Sequence, residues 1–415
     1  MKIILVNYRY YISGGPEIYL FKVKALLEEA GHIVIPYSVR SPLNEDTKYS
    51  KYFPHGKSQS GDAYFSNVKK TPKNVARLLS CAFYNREAEQ NLKRLIQDEK
   101  PDVVYVLQQV NALSPSIFKA CHEEGVRVVH RLSDFNMMCP RSDFLCNGRV
   151  CEACIHGDFR KALANQCCHG SKVTTAVRVA SMRYHQHKNL FGYVDAFVCP
   201  TQFTASKLIE SGIQPSKVNV IPTFVNSVDY DMLPRLSNGG YALYLGRISP
   251  EKGVDLLVKS IAGYPSVRLK ITGEISDSYS MSIKKLVHDL GIEDRVEFTG
   301  FVHGEEKAKL IAESSCIACS SIWYENMPNA VLEAYSYGKP VVAFDIGCLG
   351  ELVQQGVTGL LVPNADTEAF GWAIESLCKD TATSTQMGER ARNVVEAQFA
   401  PNNHLNELVK VFAQQ

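Results

Sequence analysis

The sequence predicts two doubly wound α/β domains in tandem, and three observations carry that prediction. At 415 residues the chain exceeds what one ordinary core organises, and two domains of roughly 150–220 residues are the natural division. Short Val- and Ile-rich runs alternate with segments of three/four apolar spacing along the whole length. Residues 222–240, PTFVNSVDYDMLPRLSNGG, hold two prolines, a Gly-Gly pair and few apolar residues, which is the signature of a linker.

Taken in order, KIILV (2–6), HIVIPY (32–37), DVVYVL (102–107), VRVVH (126–130), DAFVC (195–199) and KVNVI (217–221) read as strands of the first domain. YALYLG (241–246), VRLKITG (267–273), RVEFTG (295–300), SCIACS (315–320) and KPVVAF (339–344) do so in the second. Their near-continuous apolar character is that of parallel strands covered by helices on both faces. Between them lie helical patterns such as Ile18, Phe21, Val23, Leu26, Leu27 and Val254, Leu257, Val258, Ile261. Two stretches break the alternation: polar residues 41–80, and residues 134–190 with six of the 13 cysteines. The expected division is one domain over 1–225 and a second over 226–398, with a final helix at 399–415. In paired sheets of this kind a ligand is expected at the carboxyl ends of the strands.

No apolar run approaches the roughly 18–20 residues of a membrane span, and the N-terminal apolar burst is too short for a signal-peptide core. A cytoplasmic location is the expectation. Charge is uneven. Residues 1–225 hold 29 Lys and Arg against 19 Asp and Glu, whereas residues 226–415 hold 16 against 24. The positive half suits an anionic partner, such as a membrane surface, a lipid-linked phosphate or an acidic sugar. No Gly-x-Gly-x-x-Gly follows a strand, which argues against a dinucleotide oxidoreductase, and no nucleic-acid recognition motif is present.

The chemistry concentrates in three segments. In ENMPNAVLEAYSYGKPVVA (325–343), Pro328 sits where a helix would begin, and Gly338 and Pro340 mark its end. Glu333 then lies on that helix and Glu325 on the loop before it. The helix start offers backbone N–H groups and partial positive charge to phosphate or sugar oxygens. A carboxylate suits vicinal hydroxyls. In YLGRISPEKGVDLLV (244–258), Arg247 and Lys252 flank a tight loop between strand and helix, where two cations can neutralise a diphosphate. The third segment is Gly14-Gly15-Pro16-Glu17 after the first strand. Each alone has a bland reading as helix acids, surface charges and a plain turn.

Together these residues resemble glycosyltransferase family 4, retaining group 1 enzymes of the GT-B fold, in which two Rossmann-like domains face each other across a cleft. The resemblance is densest over 241–363, with GRISPEKG, the two glutamates and GVTGLLV, and extends to CPTQFTASKLIESGI (199–213) and SDFNMMCPR (133–141). It implies transfer of a sugar from a nucleoside-diphosphate sugar to a glycan or lipid-linked acceptor, with no metal or other cofactor required. The implied setting is surface polysaccharide or glycolipid synthesis. It implies that Glu333 binds the donor ribose, that Glu325 holds the transferred sugar, and that Arg247 and Lys252 stabilise the departing diphosphate. It also implies donor contacts from Gly15, Asn329, Ala330 and Val331, and a base pocket at Gly300, Phe301 and Val302. One departure stands out: Ser133-Asp134 occupies a place where the family often has His-Asp. That substitution supports the competing reading, a nucleotide-sugar binding protein of the same fold with impaired turnover. The Asp229-Tyr230-Asp231 sequence lies in the linker and reads as connector rather than metal site.

Two further features stay open. Cys139, Cys146, Cys151, Cys154, Cys167, Cys168 and His169 crowd together, and Cys151-x-x-Cys154 has metal-ligand spacing. A structural zinc on Cys146, Cys151, Cys154 and Cys167 is one reading, and buried thiols in an irregular loop the other. Residues 172–189, KVTTAVRVASMRYHQHKN, form a basic, partly amphipathic helix suited either to an anionic bilayer or to packing inside the domain.

Overall fold

The structure is a computed structural model that describes residues 1–56, 71–109, 112–226, 228 and 239–414. It packs as two compact units. The first comprises residues 1–143, 152–221 and 405–415, and the second residues 144–151 and 222–404. Residues 229–231 of the linker lie outside the described residues.

In chain order the elements are β1 (Lys2–Asn7), α1 (Gly15–Glu29), β2 (Ile33–Tyr37), α2 (Pro72–Phe83), α3 (Arg86–Glu99), β3 (Val103–Gln108), α4 (Ser116–Glu123) and β4 (Arg127–Arg131). A short hairpin, β5 (Leu145–Cys146) with β6 (Arg149–Val150), is followed by α5 (Arg160–Ala164), α6 (Lys172–His187), β7 (Ala196–Cys199), α7 (Gln202–Glu210) and β8 (Val218–Val220). The second unit adds β9 (Tyr241–Tyr244), α8 (Val254–Ala262), β10 (Arg268–Thr272), α9 (Ser278–Asp289), β11 (Val296–Gly300), α10 (Gly304–Glu313) and β12 (Cys316–Cys319). Then come α11 (Asn329–Ser336), β13 (Val341–Phe344), α12 (Leu349–Leu352), β14 (Gly359–Val362), α13 (Thr367–Lys379), α14 (Thr381–Gln398) and α15 (Pro401–Ala413).

The first unit carries a six-stranded sheet in the order β2-β1-β3-β4-β7-β8, and the second one in the order β11-β10-β9-β12-β13-β14. All pairings within these two sheets are parallel, as the unbroken apolar runs require. In the second sheet the chain winds outward from β9 to β11 and then crosses to β12 on the other side. That reversal opens a crevice beyond the carboxyl ends of β9 and β12, where ligands of such folds bind. The corresponding reversal in the first sheet lies between β1 and β3.

Every strand expected from the sequence forms. The strand β14 was not expected, because Gly-Leu-Leu-Val shows neither alternation nor a β-branched run. Its Gly359 is required by packing: a Cβ there would lie 2.0 Å from the Val341 carbonyl oxygen. In α1 the buried face is Tyr19, Leu20, Val23, Leu26 and Leu27, while Ile18 turns outward. Tyr19 fixes this phase, since its hydroxyl meets that of Tyr105 at 3.1 Å and the Arg131 guanidinium lies over its ring. From Leu405 onward α15 belongs to the first unit, with Phe412 packed edge-on against Tyr105 and the Val411 carbonyl accepting from Arg127 Nε at 3.1 Å. Among the described residues no helix is long and apolar enough to cross a membrane.

Candidate functional site

The loops leaving β9 and β12 are joined at the crevice of the second unit. After β9 the chain makes one 3₁₀ turn over Pro250–Lys252 and enters α8 through Gly253, whose φ of 62° is left-handed. A Cβ on Gly253 would lie 2.2 Å from the Ser320 carbonyl oxygen, so only glycine admits the second loop this closely. Ser320 Oγ donates to the Lys252 carbonyl at 2.8 Å, and Ile322 N donates to the Glu251 carbonyl at 3.0 Å.

This junction brings Lys252 onto Glu325. The Glu325 Oε1 accepts from Lys252 Nζ at 2.6 Å, Ser321 Oγ at 2.7 Å and Trp323 Nε1 at 2.9 Å. The two charged side chains are 20% and 9% exposed. Burial pushes the Glu325 carboxyl upward, but the Lys252 ammonium and the hydrogen bonds outweigh it and hold the group below its ordinary value. Burial pulls Lys252 down, and the Glu325 charge more than restores it. The pair therefore stays ionised at neutral pH. Arg247 is the opposite case. Its side chain is 75% exposed, and its contact with Glu251 is an open 3.3 Å pair, so the guanidinium can turn to an incoming anion. The Arg247 backbone is held by Tyr244 Oη, which donates to its carbonyl at 2.6 Å.

Helix α11 begins beside this pair. Its N-cap is Pro328, which makes no side-chain capping bond. The first-turn N–H groups of Asn329 and Ala330 have no intrahelical acceptor by the geometry of a helix start, whereas Val331 N reaches the Pro328 carbonyl at 3.1 Å. Val331 itself is fully buried, so its contribution is backbone only. Glu333 follows one turn later, and its Oε1 accepts from Lys307 Nζ of α10 at 2.6 Å. At the end of β11, Phe301 is 73% exposed and stacks on His303 with ring centroids 6.1 Å apart, while Val302 is buried. Of the two side chains expected at a base pocket, only Phe301 presents its surface.

The expected residues of the first unit divide differently. Gly15 opens α1, and Glu17 beneath it is buried and accepts from Ser13 Oγ at 3.0 Å. Burial, against the Ser13 bond and the Arg9 charge, raises the Glu17 carboxyl above its ordinary value. Ser133 Oγ donates to the Leu107 carbonyl at 2.9 Å, and Asp134 accepts from Asn136 N at 2.8 Å. Ser133 thus ties its loop to β3, and Asp134 shapes the loop itself. The nearby His130 is a buried strand residue bonded to the Val106 carbonyl at 3.0 Å, and burial pushes it down to about 4.

The zinc reading of the cysteines needs correction. Among the described residues no group of three or more His, Cys, Asp or Glu is arranged to hold a metal ion. Cys154 lies in an apolar cluster with Phe159, Ala162, Val179 and Met182, and Cys167 packs against it. Cys146 and Cys151 belong to the other compact unit. In α6, Val179 and Met182 point inward while Val173 is 74% exposed. Beside α6 the first unit holds a cavity of about 650 Å³, with Leu78, Leu79 and Val177 on its walls and Arg141 and Arg178 in its lining.

Three partners in the second unit were not anticipated: Ser321, Trp323 and Lys307. Trp323, one of two tryptophans, sits between a predicted strand and the Glu325 block, which was the available signal. Lys307 follows two glutamates at a helix start, a pattern that solvated helix ends share.

Residues 234–394 match the family model described as glycosyl transferases group 1. Among curated relatives, the lipopolysaccharide core biosynthesis glycosyltransferase LpsE of Rhizobium meliloti is 28% identical over 52% of this chain and 64% of its own. A GDP-mannose-dependent alpha-(1-6)-phosphatidylinositol monomannoside mannosyltransferase of Mycobacterium tuberculosis is 31% identical over 40% of this chain and 45% of its own. The chain thus spans about half the length of the curated relatives it matches. Among solved structures, sucrose-phosphate synthase from Thermosynechococcus elongatus superposes with a TM-score of 0.70 at 18% identity, covering 99% of this chain and 98% of that one. Anabaena Alr3699/HepE in complex with UDP gives 0.66 at 17% identity, covering all of both chains. At these identities the likeness shows the fold, which is the GT-B fold.

Proposed function

We propose, from the match of residues 234–394 to the group 1 glycosyl transferase model, that the protein transfers a sugar from a nucleoside-diphosphate sugar to a glycan or lipid-linked acceptor with retention and without a metal ion. The observation that carries this reading is the buried Lys252–Glu325 pair at the reversal of the second sheet, beside the uncapped start of α11. Cleavage of the bond from the anomeric carbon to the diphosphate builds negative charge on the leaving oxygens. Lys252, Arg247 and the first N–H groups of α11 offset that charge with groups already in place. The acceptor oxygen bonds to the anomeric carbon on the face the diphosphate leaves, and its proton passes to a leaving phosphate oxygen. Glu325 is ionised and faces the sugar, where it orients hydroxyls and stabilises the positive charge that develops on the ring. Glu333 takes the ribose, and Phe301 offers a face to the base.

The relatives named above support lipopolysaccharide or glycolipid assembly as the setting. The cavity beside α6 mixes Leu78, Leu79 and Val177 with Arg141, Asp143 and Arg178, and suits an amphiphilic acceptor. Its position on a basic half of the chain also suits peripheral contact with an anionic membrane surface. The test is turnover of a labelled nucleotide-sugar panel against total lipid and glycan extracts, with anomeric configuration read by NMR and EDTA present throughout. A transferred sugar with inverted configuration, or a rate abolished by EDTA, refutes the corresponding part. One observation favours the impaired binder instead: the Ser133 hydroxyl proton is engaged by the Leu107 carbonyl where the family often carries an imidazole. Tight donor binding with no transfer to any acceptor would support that alternative.

A further inference from the structure

We propose that Lys307 is a positioning residue for Glu333, and that the two together make the donor site demand a ribose 2′-hydroxyl. The inference rests on the reading of the second unit as a nucleotide-sugar site.

The ion pair is unlike most others in this unit. Lys259–Asp255, Lys309–Glu313 and Lys379–Glu375 are one-turn pairs along single helices. Lys307 and Glu333 are 26 residues apart and join α10 to α11 at 2.6 Å. The pair is reachable, with side chains 33% and 27% exposed, so neither charge is sealed away from a ligand. Its place is set by the fold. Helix α10 leaves the end of β11 through His303 and Gly304, the latter at a left-handed φ of 57°. Lys307 is one turn in, and helical side chains lean toward the N-terminus, here toward the strand ends and the exposed Phe301.

The chemistry follows from donor and acceptor counting. An ammonium has three N–H donors, and a carboxylate only accepts. With Oε1 held by Lys307, the carboxylate has one fixed orientation and its Oε2 can accept from a hydroxyl. A hydroxyl at that position can also accept from a remaining N–H of Lys307. The pair therefore reads a hydroxyl as donor and acceptor at once, and a deoxyribose forgoes both of those bonds while displacing water from the two charged groups. Lys307 also cancels the Glu333 charge, which would otherwise oppose a dianionic diphosphate nearby.

Binding of UDP, GDP and ADP, and of the 2′-deoxy form of whichever binds tightest, is measured by calorimetry on the full chain and on Lys307→Met, Lys307→Gln and Lys307→Arg. The expected result is about tenfold weaker binding of the ribonucleotide in the Met and Gln variants. The deoxy form should change little, so the ribo/deoxy ratio collapses, and Arg should restore most of it. A general packing defect would weaken both nucleotides alike and leave the ratio intact. An unchanged ratio, or tighter binding once Lys307 is removed, overturns the proposal while leaving the donor site standing. Failure of the unmodified protein to bind any of the three overturns the donor reading and this inference together.

Discussion

Replacing Lys252 by Met should destabilise the second unit by an amount that depends on pH in a defined direction. In the intact protein Glu325 titrates below its unfolded value of about 4.3 and Lys252 above its unfolded value of about 10.4. The contribution of Glu325 is thus present above about pH 4.3 and is lost as pH falls through its folded value. The contribution of Lys252 is present below about pH 10.4 and is lost as pH rises through its folded value. Removing Lys252 leaves a 9%-exposed carboxylate with only Ser321 and Trp323 as donors. Breaking a buried pair from one side costs about 3–5 kcal/mol, and the two surviving hydrogen bonds place this case near about 3. At roughly 2–4 °C per kcal/mol for a domain of this size, the melting temperature should fall by roughly 6–12 °C at pH 7. Burial then dominates Glu325 and moves it above 4.3, so the penalty should shrink as pH drops toward 5. Thermal melts of Lys252→Met at pH 7.5, 6 and 5, with Lys252→Met/Glu325→Gln alongside, test this. The double variant should recover part of the loss at pH 7.5. A pH-independent loss, or a double variant no better than the single one, refutes the account of the pair as a buried charge couple.

Arg247→Ala should leave stability within about 0.5 kcal/mol, because its side chain is exposed, yet lower turnover by about 10²-fold or more if it faces the leaving diphosphate. Parallel melts and steady-state kinetics separate the two effects. Gly253→Ala should cost at least about 2 kcal/mol, since φ is 62° and the new Cβ would meet the Ser320 carbonyl oxygen at 2.2 Å. Denaturant unfolding measures that loss. His130, held down to about 4 by burial, should keep a neutral imidazole between pH 7.5 and 5.5, and its NMR ring shifts should not move over that range. Its depressed value makes folding less favourable as pH falls from about 6.5 toward 4, the reverse of a paired histidine. Elemental analysis of protein purified under reducing conditions should find less than stoichiometric zinc, given the apolar surroundings of Cys154 and Cys167.

Much of the fold was legible because parallel strands announce themselves by composition. KIILV and KPVVAF need no partner to be recognised, whereas the strand order, and with it the crevice at β9 and β12, arises from crossovers that leave no local mark. The site was legible in part for the same reason. Glu325, Glu333, Arg247 and Lys252 flank glycines and prolines that punctuate helix starts, so their placement at strand ends could be inferred. Their mutual pairing could not, because the approach of the two loops depends on the contact of Gly253 with Ser320, 67 residues apart in sequence. Lys307 was hidden by its neighbours Glu305 and Glu306, which imitate an ordinary solvated helix start. The cysteines mark the opposite case, in which a spacing suggested metal ligands while Cys154 and Cys167 lie in an apolar cluster.

The return of α15 to the first unit has a consequence for biosynthesis. Tyr105 sits in the middle of the first sheet, and the ring that covers it comes from Phe412. A ribosome adding roughly 5–20 residues per second therefore needs tens of seconds between making one ring and making the other. The second unit, whose strands and helices run almost consecutively from residue 222 to 404, is complete once residue 404 is made, eight residues ahead of Phe412. The half of the chain synthesised first is thus completed last, with an aromatic surface uncovered in the meantime, and a chaperone that binds nascent chains would find its target there.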